Sequence, residues 1–188
     1  MENRMINIMV GISGAGKTTW IKKDSASIDK GTFTIISPDL ERKALTGDIS
    51  NQECSAQAFF NCFEQLKKAV VNPNLNVIYW DATNLSTKSL KDIMKIINDS
   101  GFDWKVRVIC LEDSRDWKLC YNRVENDLNN GVDRSRSINC FNDVSGLPII
   151  QDMSIRYIHL VDEVLDDWCK RNNVGRVYVV RNLRRIRV

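Results

Sequence analysis

Eight consecutive residues, Gly11-Ile12-Ser13-Gly14-Ala15-Gly16-Lys17-Thr18, match the phosphate-binding loop pattern G-x-x-x-x-G-K-[ST]. Each fixed position has a chemical task. The glycines let the backbone curl so that the N–H groups of Ser13, Gly14, Ala15 and Gly16 face a polyphosphate. Lys17 reaches the β- and γ-phosphate oxygens, and the Thr18 hydroxyl ligates Mg²⁺. Thr19 follows in the first turn of a helix whose positive end faces the same anion. The expected ligand of residues Gly11 to Thr19 is therefore a nucleoside triphosphate with Mg²⁺.

Two carboxylates further along suit the same chemistry. Asp39 lies in Ser37-Pro38-Asp39-Leu40-Glu41-Arg42, just after an apolar run. A carboxylate there can take the proton from an attacking hydroxyl as the new bond to phosphorus forms. If a helical turn begins at Pro38, Asp39 and Arg42 share one face, and Arg42 can hold an acceptor phosphate. The plainer reading makes Pro38-Asp39 a helix start and Arg42 a solvated side chain. Asp81 ends the apolar run Val77-Ile78-Tyr79-Trp80. Such a carboxylate helps hold Mg²⁺ or orients the Thr18 hydroxyl, although a turn residue that caps its neighbours has the same appearance. Thr83 and Asn84 fit either acceptor binding or turn stabilisation.

These residues need a scaffold, and the sequence patterns supply one. Met5 to Val10, Thr32 to Ser37, Val77 to Trp80, Trp104 to Leu111 and Val174 to Val180 read as strands. Helical patterns follow the loop, cover about 51–71, begin again at Ser86 or Thr87 until Gly101, run from about Ser114 to Leu128, and extend from Pro148 to about Arg171. Strands alternating with helices imply an α/β fold: a doubly wound parallel sheet of about five strands. Ligands bind beyond the carboxyl ends of such strands, which is where the loop, Asp39 and Asp81 all fall. The polar stretch 129–147 has the character of a lid. Arg134 and Arg136 lie in it, Arg115 and Arg123 on the helix before it. Lid arginines add positive charge to a migrating phosphoryl group, and Arg134 and Arg136 are favoured because a flexible segment can close.

The 188 residues suit a single domain, 1–188, with a lid at about 112–147. No apolar stretch is long enough to cross a membrane. Glu2 and Arg4 precede a strand-sized run and not a signal sequence, so an intracellular, cytoplasmic protein is expected. The six cysteines form no C-x-x-C pair and there is a single histidine, His159, which argues against a zinc site. The net charge of +3 permits a polyanionic partner without requiring one. Arg181, Arg184, Arg185 and Arg187 read as a solvated tail, or as a phosphate-contacting edge. Trp20, Trp80 and Trp104 fall on strand and helix patterns that suit core roles.

Gly11 to Thr19 followed by Trp20, then Ser37-Pro38-Asp39-x-x-Arg42, then Val77 to Leu85 with Asp81-Ala82-Thr83-Asn84, resemble the 5′-polynucleotide kinase family of P-loop phosphotransferases. The resemblance covers roughly the first 90 residues and is looser through the lid, where Ser137 to Leu147 looks like an insertion. It implies that Asp39 is the general base for a 5′-hydroxyl and that Arg42 contacts the acceptor's 3′-phosphate. It implies that Lys17 and Thr18 bind the ATP phosphates and Mg²⁺, and that a lid arginine contacts the β- and γ-phosphates. A nucleic acid, DNA or RNA, is the implied partner. No D-x-D-x-T phosphatase motif occurs. The motifs fix phosphoryl transfer better than its acceptor, so a hydroxymethylated DNA base, a nucleoside, a nucleotide or another small hydroxyl compound is an alternative. A nucleotide-binding ATPase module or switch is a further class, disfavoured by the absence of N-K-x-D and by the placement of Asp39.

Overall fold

The computed structural model describes residues 4–132, 140–179 and 186–187. Its frame is one sheet in the order β2-β3-β1-β4-β5-β6. β1 (Met5–Val10), β2 (Phe33–Ile36), β3 (Val77–Trp80), β4 (Lys105–Leu111) and β5 (Gly175–Val179) are parallel. The short β6 (Ile186–Arg187) adds an antiparallel edge beside β5. That sixth strand lay outside the expected five, because two residues carry no periodicity to read. Arg181, Arg184 and Arg185 of the basic tail lie outside the described residues.

β1 is the central strand, and Ile6, Ile8, Met9 and Val10 are fully buried. A strand covered on both faces reads as a continuous apolar run instead of an alternation. Its one polar residue, Asn7, accepts a hydrogen bond from Arg107 Nε at 2.9 Å. β3 shows how the two faces are covered, since neighbouring side chains on a strand point to opposite sides. Tyr79 meets α1 (Lys17–Ser25) edge-on through Trp20, and its hydroxyl donates to Asp24 at 2.8 Å. Trp80 packs against Phe63 of α3 (Ser55–Val70), ring centroids 5.2 Å apart. α3 buries Ala58, Cys62, Leu66, Ala69 and Val70, and α4 (Thr87–Asp99) buries Leu90, Ile93, Met94 and Ile97. Ser86 caps α4 by accepting from the Ser89 amide.

Three stretches differ from the sequence reading in detail. The turn at Pro38 is a complete helix, α2 (Pro38–Thr46), with Pro38 in its first turn and Gly47 closing it in the left-handed conformation at φ 76°. Proline is pre-set for a first helical position, and glycine meets no Cβ penalty at the end. The helix expected from Ser114 starts later. Glu112–Arg115 forms a 3₁₀ turn, and α5 (Trp117–Asn129) begins where Asp116 accepts from the Leu119 amide at 3.0 Å. The long helix from Pro148 divides into α6 (Ile149–His159), a π-helical turn at Leu160–Val164 and α7 (Leu165–Asn172). The wider turn keeps Leu160, Val161, Leu165 and Trp168 all against the core. Among the described residues no helix is long and apolar enough to cross a membrane.

Trp80 joins three parts of this frame: the sheet, Phe63 of α3, and the turn after β3 through its indole N–H to Asn84 Oδ1 at 3.2 Å. Trp80→Ala is expected to cost about 3–5 kcal/mol of folding stability. Urea denaturation measures this, and a loss below about 1 kcal/mol would contradict the packing role.

Candidate active site

The phosphate-binding loop joins β1 to α1 and is shaped by neighbours on every side. The Gly11 amide donates to the Thr83 carbonyl at 3.1 Å, and the Ile12 amide donates to Ser114 Oγ at 3.1 Å. Ser114 is itself buried, and its carbonyl accepts from Ser154 Oγ of α6 at 2.7 Å. Gly11 has no room for a side chain: a Cβ would stand 3.0 Å from both Leu111 and Ser114. Gly14 and Gly16 have φ of +77° and +95°, and a Cβ on Gly14 would collide with the Cys120 carbonyl. Gly16 is the N-cap of α1, so the helix begins at Lys17 with its amides turned into the loop. Lys17 Nζ donates to the carbonyls of Gly11 at 3.1 Å and Ile12 at 2.9 Å, which folds the side chain back over the loop. Ala15 is buried, whereas Ser13, Thr18 and Thr19 line the cleft.

Asp81 stands at the end of β3, where its amide extends the sheet by donating to the Ile36 carbonyl at 2.8 Å. Thr18 Oγ1 donates to Asp81 Oδ2 at 3.2 Å. A hydroxyl and a carboxylate in contact are hard oxygen donors, the kind that suits Mg²⁺ with water completing its shell. No cluster of three or more His, Cys, Asp or Glu able to hold a metal occurs among the described residues. Asn84 proves structural. It is buried at φ 50°, its amide donates to the Met9 carbonyl at 2.7 Å, and its Oδ1 accepts from Trp80.

Asp39 and Arg42 lie one helical turn apart on α2 and form an ion pair. The two differ in environment, with the Arg42 side chain 7% exposed and the Asp39 carboxylate 49% exposed. Arg42 Nε also donates to the Ile49 carbonyl at 2.9 Å. The guanidinium is thus fixed beneath the carboxylate, which keeps access to the cleft. Both residues line the same cavity, of about 730 Å³, as Lys17, Thr18, Asp81 and Thr83. The structure therefore brings the loop, Asp81, Asp39 and Arg42 onto one cleft.

Arg134 and Arg136 lie outside the described residues. Arg115 is committed elsewhere: it pairs with Glu112 and, through two hydrogen bonds, with Asp162, and this contact holds the Asp162 carboxyl below its usual range. Arg123 lines the cleft, donating to Asp113 Oδ2 at 2.7 Å and the Gly14 carbonyl at 3.3 Å. Cys120, one turn before it, is buried, and that burial pushes its thiol up to about 12. None of the six cysteines is bridged, and His159 is exposed beside Glu163. Sequence reasoning did not single out Ser114, Gln52 or Phe59. Ser114 acts through one hydroxyl on a distant amide, and nothing in its local pattern signals that. By helical spacing Phe59 reads as part of the apolar stripe Ala56, Phe59, Phe60, Phe63, Leu66 and Val70, whereas α3 buries Ala58, Cys62, Leu66, Ala69 and Val70 and leaves Phe59 and Phe60 exposed.

A family model described as an AAA domain matches residues 6–136, and the chain belongs to that family. The α/β fold, a mainly parallel sheet with flanking helices behind a phosphate-binding loop, is shared with solved structures. A structure of the PezAT toxin-antitoxin system of Streptococcus pneumoniae is 14% identical, with a TM-score of 0.58 over 99% of this chain and 72% of that one. A fungal RNA kinase is 16% identical, with a TM-score of 0.56 over 100% of this chain and 79% of that one. The AvrRxo1-ORF1:-ORF2 complex with ATP is 11% identical, with a TM-score of 0.61 over 99% of this chain and 57% of that one. No curated protein matches the chain.

The two left-handed glycines separate two costs. Gly16→Ala meets nothing within 4 Å and carries only left-handed strain, about 1–2 kcal/mol. Gly14→Ala adds a collision with backbone and must displace α5 or the loop. Calorimetric titration with ATP should show the larger loss of affinity for Gly14→Ala. Equal losses would mean that the Cys120 carbonyl does not constrain the loop.

Proposed function

We propose that this chain is an ATP-dependent, Mg²⁺-assisted kinase that transfers the γ-phosphate to a hydroxyl of a nucleic acid, the 5′-OH end of DNA or RNA. The observation that carries the reading is the shared cleft: phosphate-binding groups on one side, and on the other a carboxylate paired with a buried arginine. A hydrolytic ATPase or a switch has no need of that second half. In the proposed reaction the acceptor oxygen attacks the γ-phosphorus and Asp39 takes its proton. The bond from phosphorus to the β,γ-bridging oxygen breaks, and ADP departs with that oxygen. Lys17 and the loop amides hold the β- and γ-phosphate oxygens in line. Thr18 and Asp81 would hold Mg²⁺, whose charge offsets that of the phosphates. Arg42 orients Asp39 and is available to an acceptor phosphate. Arg134 and Arg136 are proposed to add positive charge from the lid. The resemblance of the Asp39-x-x-Arg42 and Asp81-Ala82-Thr83-Asn84 elements to those of 5′-polynucleotide kinases favours a polynucleotide over a small acceptor.

Incubation with γ-labelled ATP and a panel of 5′-OH oligonucleotides, modified-base DNA and nucleosides tests the reading. Label is expected on the 5′-OH ends. Label on modified bases or nucleosides alone would replace the acceptor, and label on none would overturn the nucleic-acid kinase reading. Asp39→Asn should lower transfer by about 10²–10⁴-fold while leaving ATP affinity within twofold of the parent. Lys17→Met should lose both, since its ammonium contacts the donor phosphates on this reading.

A further inference from the structure

On the acceptor side of the cleft stands an aromatic ring that neither the fold nor the transfer chemistry explains. Phe59 lies on α3, between the buried positions Ala58 and Cys62, and is 38% exposed. It lines the cleft with Asp39, Arg42, Ser50 and Gln52. One turn further on, Phe63 packs on Trp80, so the core contact of this face of α3 is made without Phe59. Its partly exposed ring, beside the paired Asp39 and Arg42, leaves an aromatic face open to a flat ligand in the cleft.

Resting on the proposed function, we infer that Phe59 is the stacking platform for the nucleobase of the acceptor's terminal nucleotide, and that Ser50 and Gln52 form the polar edge of that subsite. Three features match such a ligand. An aromatic face takes any base by stacking. Ser50 Oγ donates to Asp48 Oδ1 at 2.7 Å and keeps lone pairs for a base edge, and Gln52, whose Oε1 accepts from Ser55 Oγ at 3.0 Å, has its Nε2 on the Ser50 carbonyl at 3.4 Å, a weak bond that a base can replace. The ring shares the cleft with the proposed general base, and on this inference a base held on it would belong to the nucleotide whose hydroxyl reacts. The subsite makes Phe59 a specificity residue for base-bearing acceptors, and it predicts little preference among bases.

The test compares a 5′-OH oligonucleotide with the same oligonucleotide abasic at its terminal residue, using the parent, Phe59→Ala, Phe59→Leu and Phe59→Trp. The parent should favour the base-bearing acceptor by about tenfold or more in kcat/KM, chiefly through KM. Phe59→Ala and Phe59→Leu should erase that preference, Phe59→Trp should keep it, and the KM for ATP should not move. Thermal unfolding of each variant shows that the fold is retained, and Leu, which keeps apolar bulk without a flat face, separates stacking from packing. A parent that does not distinguish the two acceptors, or a Phe59→Leu variant that still does, overturns the inference while leaving the kinase reading intact. Absence of transfer to any acceptor fails the kinase reading instead. Anisotropy of the same labelled oligonucleotides without ATP then decides the subsite by the same base-versus-abasic comparison.

Discussion

A loop that turns its amides toward an anion cannot use those amides to hold its own shape. In this chain one amide, that of Ala15, donates within the loop to the Ile12 carbonyl at 3.3 Å, and the rest of the shape comes from elsewhere. The Ile12 amide, pointing away from the cleft, is taken by Ser114, the Gly11 amide by the Thr83 carbonyl, and the Cys120 carbonyl bounds the turn at Gly14. The buried Ser114 hydroxyl matters more than its size suggests, because a buried amide left unpaired costs about 1–3 kcal/mol. The residues that brace the loop come from the ends of β3 and β4 and from α5. The order of the strands, with β1 between β3 and β4, is what brings them there.

The Asp39 side of the cleft, the acceptor side on the kinase reading, depends on a different set of contacts. α2 carries both Asp39 and Arg42, and its placement is fixed by packing on α3. Glu41, between them, accepts from Asn61 and Gln65 of α3. Beneath these bonds Cys62 is buried, and burial, with Glu41 adding to it, pushes its thiol up to about 12. It therefore remains a neutral packing group at physiological pH. Arg42 is held by its own helix and by the Ile49 carbonyl just beyond it. A guanidinium with this little freedom loses little entropy when a carboxylate must be kept in one orientation. The same rigidity narrows its reach toward a ligand, which favours orientation of Asp39 as its first task.

Much of this was legible in the sequence because the signals are local. The loop pattern, the apolar runs that became β1, β3 and β4, and the stripe of Leu90, Ile93, Met94 and Ile97 depend on spacing within a few residues. Asp39 and Arg42 could be paired from their separation once Pro38 was read as a helix start. Asn84 stayed ambiguous in sequence, because turn stabilisation and acceptor binding both favour Asn after a strand. Only the contacts with Met9 and Trp80, respectively far along the chain and on the preceding strand, identify its task. Ser114 and Arg123 were less legible for the same reason: each acts on a loop about a hundred residues earlier. The π-helical turn at Leu160–Val164 escapes a reading by period altogether, since it changes the period itself.

Charge around the loop sets a limit on what these described residues can do alone. Arg123 reaches the Gly14 carbonyl but shares its charge with Asp113, so that pair anchors α5 to the loop more than it adds positive potential. Lys17 is then the principal cation at the phosphate site, supported by the loop amides and the N-terminus of α1. An ATP polyphosphate carries several negative charges, and the transferring phosphoryl group spreads its charge over three oxygens. On the kinase reading, a single lysine and partial dipoles leave that charge under-compensated. Two further sources are at hand in the chain. One is a divalent cation, which Thr18 and Asp81 would hold and whose charge would offset that of the phosphates. The other is the pair Arg134 and Arg136 in the segment after α5. Because Arg123 donates to the Gly14 carbonyl, the position of α5 is coupled to that of the loop.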